Sequence, residues 1–254
     1  MTYSLNQLIN AFLEHWEYVR KRRPETARNY ELYLRRFQIF SQITSAKKIS
    51  DSLVQRYSKY LQATSFNGKK LSSSTINYHL IALRNFIKYL KLHSINITLD
   101  KKIKLSDYRP THRITPTKIE LRSLLTAPAK SQRDPEIIRL RDQAILACMI
   151  DSKLKVSDVV RLEKTDFRGS GLKIMTHAGS QTLSLGESTK KLLRQYLAFR
   201  HDNNPHLFVS HDRAEKSRSK KNRPLTTRSI QRLVLKYIQL ASIARNLTTD
   251  SLRY

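Results

Sequence analysis

Apolar residues recur with helical spacing through the first part of this sequence. In SLNQLINAFLEHW, Leu5, Leu8, Ile9, Phe12 and Trp16 fall on one stripe, and Ser4 stands where a side-chain oxygen can cap the first turn. TARNYELYLRRF repeats the device, with Tyr30, Leu34 and Phe37 directed inward and Arg28, Arg35 and Arg36 outward. ISDSLVQRYSKYL predicts a third helix. SSSTINYHLIALRNFIKYLKLH predicts a fourth, serine-capped, with Ile76, Leu80, Leu83, Ile87 and Leu90 as its buried stripe. Together they predict a small all-α bundle over residues 1–100.

From about Asn96 to Thr117 the period decays into NITLDKKIKLSDYRPTHRITPT, basic and twice interrupted by proline, which reads as a linker centred on residues 101–116. A second domain, 117–254, follows. TKIELRSLL and RDQAILACMIDSKLKVSDVVRL are helical, GLKIMTHAGSQTLSLGE alternates around a turn as a β-hairpin does, and STKKLLRQYLAFRH returns to helix. HDRAEKSRSKKNRP is a basic loop, open to two readings: a solvated insertion or a nucleic-acid contact. LTTRSIQRLVLKYIQLA then predicts a capped helix with Ile230, Leu233, Val234, Tyr237 and Ile238 inward and Arg228, Arg232 and Lys236 outward. The fold class is mainly α, the second domain being α+β with a small hairpin or sheet.

Charge narrows the function. Lys and Arg total 48 against 20 Asp and Glu, a formal +28 at pH 7, and the basic residues are interleaved with apolar helical patterns rather than gathered in one tail. Such a field attracts polyanions, and a folded basic protein of this kind is expected to wrap nucleic acid. The N-terminus lacks a signal-peptide pattern and the longest apolar run, AILACMI, is too short to span a bilayer, so the expected location is cytoplasmic. Cys148 lies inside that run as a core residue rather than a nucleophile. No His, Cys or carboxylate cluster has ligand spacing, so neither metal nor cofactor is expected.

The arrangement of helical bundle, basic linker and mixed domain resembles the tyrosine recombinases, the phage-integrase and Xer-like family, over nearly the whole sequence. Thr26, Tyr30, Leu34 and Phe37 fit the second helix of the family's SAM-like core-binding domain, and LSSSTINYHLIALRNFIKYL fits the helix that enters a major groove. The strongest match is RDQAILACMIDSKLKVSDVVRLEKTDF, whose Lys153, Leu154, Lys155, Val156, Ser157 and Asp158 occupy the family's Gly-Leu-Arg-Val-Ser-Glu box position by position. TTDSLRY falls on the His-x-x-Arg box. The resemblance implies cleavage and rejoining of DNA through a tyrosine, which requires cationic donors around the phosphate, a proton acceptor and an acid for the leaving oxygen.

Set against that pattern, the catalytic positions are altered. Lys155 replaces the first arginine, keeping charge but losing the planar fork. Arg253 stands at the second arginine. Asp250 replaces the box histidine, and an ionised carboxylate cannot donate to a phosphate. The hairpin has no lysine where the family places its acid, although His177 could substitute. Tyr254 directly follows Arg253, whereas the nucleophile belongs on a helix tens of residues further on. The resemblance therefore implies a protein truncated at its C-terminal end relative to the family, with Lys155, Asp250 and Arg253 as a remnant that does not function as a set.

Three readings stay open: a degenerate homologue that binds duplex DNA, alone as an oligomer or beside an active recombinase; an active integrase with displaced residues or a tyrosine supplied in trans; and an RNA-binding protein using the same charge. The DNA contacts expected on the first reading are Arg28, Arg35, Asn77 and Arg84 in the first domain, and Lys155, Arg228, Arg232 and Arg253 in the second.

Overall fold

The computed structural model describes residues 3–19, 24–66, 68–97, 99, 103–106, 114–169, 171–176, 179–211 and 223–253. The protein divides into two compact units, Met1–Thr111 and His112–Tyr254.

The first unit is a helical bundle. Its helices are α1 (Leu5–Glu14), α2 (Pro24–Ser41), α3 (Asp51–Ala63) and α4 (Ser73–Leu92), and a two-stranded pair, β1 (Ser65–Phe66) with β2 (Lys69–Lys70), joins the last two. Each serine predicted to start a helix does so: Ser4 forms a capping box with Gln7, and Ser72 accepts from the Thr75 amide. The apolar stripes meet as expected, with Leu8, Ile9, Phe12, Leu34, Phe37, Tyr57, Leu80, Leu83 and Phe86 in one core. At roughly 1.5–3 kcal/mol for each fully buried large side chain, this core is what holds the helices together.

Two arginines of α2 expected to face outward are instead engaged. Arg35 donates to Asn6 Oδ1 at 2.6 Å and Asn10 Oδ1 at 2.5 Å, tying α2 to α1. Arg36 reaches the buried His79, its Nη1 lying 3.1 Å from Nε2. An arginine only donates, so His79 Nε2 accepts and Nδ1 carries the proton. Nδ1 then donates to Tyr57 Oη at 3.1 Å, and the Tyr57 hydroxyl donates to the Tyr33 carbonyl at 3.4 Å. Burial, with help from the Arg36 charge, pushes the His79 pKa down to about 4, so the ring is neutral.

The start of the expected linker also differs from its sequence pattern. Leu99 and Ile103 are buried in the bundle core, and Ile97 and Leu105 pack against it. Three α4 side chains hold this segment by its backbone. Lys91 Nζ donates to the Leu99 carbonyl at 3.1 Å, Arg84 donates to the Ile103 carbonyl, and Asn77 both donates to the Ser106 carbonyl at 2.9 Å and accepts from its amide at 2.8 Å. The register is antiparallel: residues 77, 84 and 91 along α4 meet residues 106, 103 and 99 in turn.

The second unit packs α5 (Lys118–Lys130), α6 (Glu136–Ser152), α7 (Val156–Arg161), α8 (Glu187–Ala198) and α9 (Thr227–Leu240) with a three-stranded antiparallel sheet of β3 (Phe167–Arg168), β4 (Gly171–Thr176) and β5 (Gly179–Ser184). The predicted hairpin is β4–β5, with Leu172 opposite Leu183. Gly171 has to be glycine, since a Cβ there would lie 2.2 Å from the Leu183 carbonyl oxygen. Cys148 is in the core and burial raises its thiol pKa far above the usual value, as a packing role requires. Among the described residues no helix is long and apolar enough to cross a membrane, and no group of His, Cys, Asp or Glu could hold a metal ion.

Candidate functional site

The Lys155 box is a three-residue hinge between α6 and α7. Helix α6 ends at Ser152, and its C-cap residue Lys153 adopts the left-handed conformation (φ 55, ψ 26). Leu154 is buried in the core, and Lys155 is exposed and extended as the N-cap residue of α7. The buried leucine between two lysines fixes both cations at the surface.

The terminal turn, Ser251–Arg253, is built the same way. Ser251 accepts from the Thr248 amide at 3.1 Å, Leu252 is sunk in the core, and Arg253 is left half-buried beside it. Arg253 Nε donates to the Lys153 carbonyl at 3.3 Å, so the structure brings the two boxes together through one hydrogen bond to the backbone. Arg253 Nη1 also lies 3.5 Å from Asp250 Oδ1. The Asp250 carboxylate therefore faces the Arg253 guanidinium. Chemically, Lys155 and Arg253 can attract an anion, and Asp250 competes for it.

A polar network that the sequence pattern does not reveal holds α6 against α9. Arg141 and Asp142, whose charge alone would place them at the surface, are both buried. Arg141 Nε donates to Asp142 Oδ1 at 2.7 Å and Nη1 to the Val209 carbonyl at 3.1 Å, while the Tyr237 hydroxyl donates to Asp142 Oδ2 at 2.8 Å. Burial raises the Asp142 pKa, opposed by the Arg141 charge and the bond from Tyr237. No periodic signal marks such a network, because its members are 68 and 95 residues apart. Arg141 also lines a hollow of about 260 Å³ with Ser210, Arg223, Thr226 and Ser229 at the start of α9.

The expected DNA contacts divide. On α9, Arg228 and Arg232 are exposed and have no hydrogen-bond or ion-pair partner among the described residues; Lys236, from the same face, is paired with Asp134. On α2, Arg28 is exposed and unengaged among the described residues, whereas Arg35 is bound to α1. On α4, Asn77 and Arg84 are committed to the backbone of residues 103–106. His177, Tyr254 and residues 212–222 of the basic loop lie outside the described residues.

This is the two-domain architecture of the integrases: an all-α unit followed by a helical unit with a small antiparallel sheet. Residues 9–93 match the family of the phage-integrase N-terminal SAM-like domain. The protein is 26% identical over 201 residues to the tyrosine recombinase XerC of Pelobacter propionicus, covering 76% of this sequence but only 64% of that protein. It is 23% identical to XerC of Thermodesulfovibrio yellowstonii, covering 97% of this sequence and 80% of that protein. Among solved structures, the Tn1549 transposon integrase in complex with a circular intermediate DNA superposes with a TM-score of 0.74 at 12% identity, over 99% of this protein and 84% of that one. A lambda integrase tetramer bound to a Holliday junction gives 0.71 at 13% identity, over 98% and 70%. In sequence and fold the protein is thus similar to tyrosine recombinases, the N-terminal unit matching the phage-integrase SAM-like domain.

Proposed function

We propose that the protein is a site-specific-recombinase homologue that binds duplex DNA and does not cleave it unaided. The observation that carries this reading is the Asp250–Arg253 pair. In a recombinase the box histidine donates to the scissile phosphate beside the arginine; here a carboxylate faces the arginine at 3.5 Å. Removing one well-placed electrostatic donor from such a site costs about 3–4 kcal/mol of transition-state stabilisation, and groups acting as a unit fail together. Lys155 adds a second deficit, since a lysine cannot bind a phosphate as a bidentate fork. The net charge of +28 supports polyanion binding, with Arg228, Arg232 and Arg28 as the open cations.

On DNA the partner is a second copy of this protein or an active recombinase that supplies the chemistry. The RNA reading has less support: the only aromatic residue in the described part of the three-stranded sheet is Phe167, and it packs against the core rather than offering a stacking face.

The test is a nicked suicide duplex incubated with the purified protein and resolved on a denaturing gel. DNA retardation in a native gel without a covalent adduct is expected. An adduct formed by the wild type would overturn the non-cleaving reading, and its loss in Tyr254→Phe would identify the nucleophile.

A further inference from the structure

The α4 helix carries Asn77, Arg84 and Lys91 at two-turn intervals on one line, and each of the three donates one hydrogen bond to the backbone of the segment formed by Leu99 and residues 103–106. We propose that this segment is an intramolecular competitor: it occupies with peptide carbonyls a row of donors that a DNA backbone would otherwise engage, so α4 meets phosphates through this row only when the strap has left it. The proposal rests on the DNA-binding reading above.

The chemistry of the row favours exchange over simple opening. Arg84 and Lys91 are exposed and water would satisfy them once the strap had left, but a phosphate backbone offers charged acceptors that water does not, so DNA favours departure more than simple opening does. Phosphate oxygens fit better than carbonyls, because a hydrogen bond to a charged acceptor is shorter and roughly twice as strong as one between neutral groups. The strap's hold on the bundle is narrow. Leu99 and Ile103 are its buried anchors, Leu105 is half-buried, and Lys104 is exposed, bringing another positive charge to a positive helix. The four bonds to backbone atoms do not depend on which side chains the strap bears, so its departure is set by the two anchors.

The experiment uses the full-length protein and a short mixed-sequence duplex at low salt. Hydrogen exchange at the Ser106 amide, which donates to Asn77 Oδ1, reports the strap directly, and Ile103→Ser loosens it without touching the row. Saturating duplex should accelerate exchange at Ser106 in the wild type, and Ile103→Ser should bind duplex roughly tenfold more tightly, a change of about 1.4 kcal/mol. Duplex binding with Ser106 equally or better protected, and with unchanged affinity in Ile103→Ser, overturns the strap and leaves the DNA-binding reading standing. Binding by Ile103→Ser but not by the wild type supports the strap. Binding by neither overturns both. If Ile103→Ser does not fold, the wild-type exchange result decides alone.

Discussion

Helices α4 and α9 look alike in sequence: each has a serine or threonine cap, an unbroken apolar stripe and a polar face with cations or amides at regular intervals. In the structure they differ. The Asn77–Arg84–Lys91 line of α4 is bound to a following segment of its own unit, while Arg228 and Arg232 of α9 face solvent. Periodicity tells which face of a helix is outside the core, but it does not tell what lies on that face. A polar face can be a ligand surface or the seat of another segment of the same protein, and only the acceptors that reach it decide.

The sharpest way to break this comparison is to reverse charge on α9. Arg228→Glu with Arg232→Glu should lower duplex affinity at least roughly tenfold and reduce the log–log salt slope by about 1.8, two contacts at about 0.9 each, as read by fluorescence anisotropy across a salt series. An unchanged slope would mean that the open cations of α9 are bystanders and that the contrast with α4 is empty.

The matching change on α4 should act on stability instead. Asn77→Ala leaves both the amide and the carbonyl of Ser106 without their partner and should cost about 2 kcal/mol in urea unfolding of the first unit. Arg84→Ala should cost about 1 kcal/mol with little change in duplex affinity, because losing a donor and loosening the strap oppose one another. A large affinity loss without a stability loss would place α4 in the same class as α9.

A comparable effect should follow pH. The folded-state pKa of His79 is depressed to about 4 from an ordinary 6.5, so the unfolded state binds the proton first. The stability from keeping His79 neutral is fully present above pH 6.5 and is lost as pH falls through the window from 6.5 to 4, by about 3 kcal/mol. His79→Leu should flatten that part of the pH–stability curve, measured by thermal melts of the wild type and variant in parallel. The smallest effect is expected at Lys153, whose left-handed backbone suits glycine: Lys153→Gly should stabilise the second unit by up to about 1 kcal/mol, read from the same melts.

These differences also mark what can be read from residues alone. The stripe Ile76, Leu80, Leu83, Ile87 and Leu90 is buried to the last member, the β4–β5 hairpin pairs where its alternation places it, and Ser4, Ser72 and Thr226 cap as their chemistry suggests. Those are local signals, set within a few residues. What sequence does not disclose is long-range and polar. Arg35 meets residues 25 and 29 positions away, and Arg141 and Asp142 are buried because Val209 and Tyr237 return to them. The strap reads as linker for a related reason: its apolar anchors, Leu99 and Ile103, show no helical period in sequence, although both are buried in the bundle core. In the candidate site, no sequence signal foretells the bond from Arg253 to the Lys153 carbonyl, whose partners are 100 residues apart.

The Arg36–His79–Tyr57–Tyr33 relay has a direction. Because the arginine can only donate, every hydrogen in it points the same way, from the guanidinium toward the Tyr33 carbonyl, and reversal would require an acceptor that Arg36 cannot become. The Tyr57 hydroxyl proton is thus held on one side of a fully buried ring, away from exchange with water. It should appear as a discrete, slowly exchanging proton resonance, a built-in reporter of whether α2, α3 and α4 remain closed on one another.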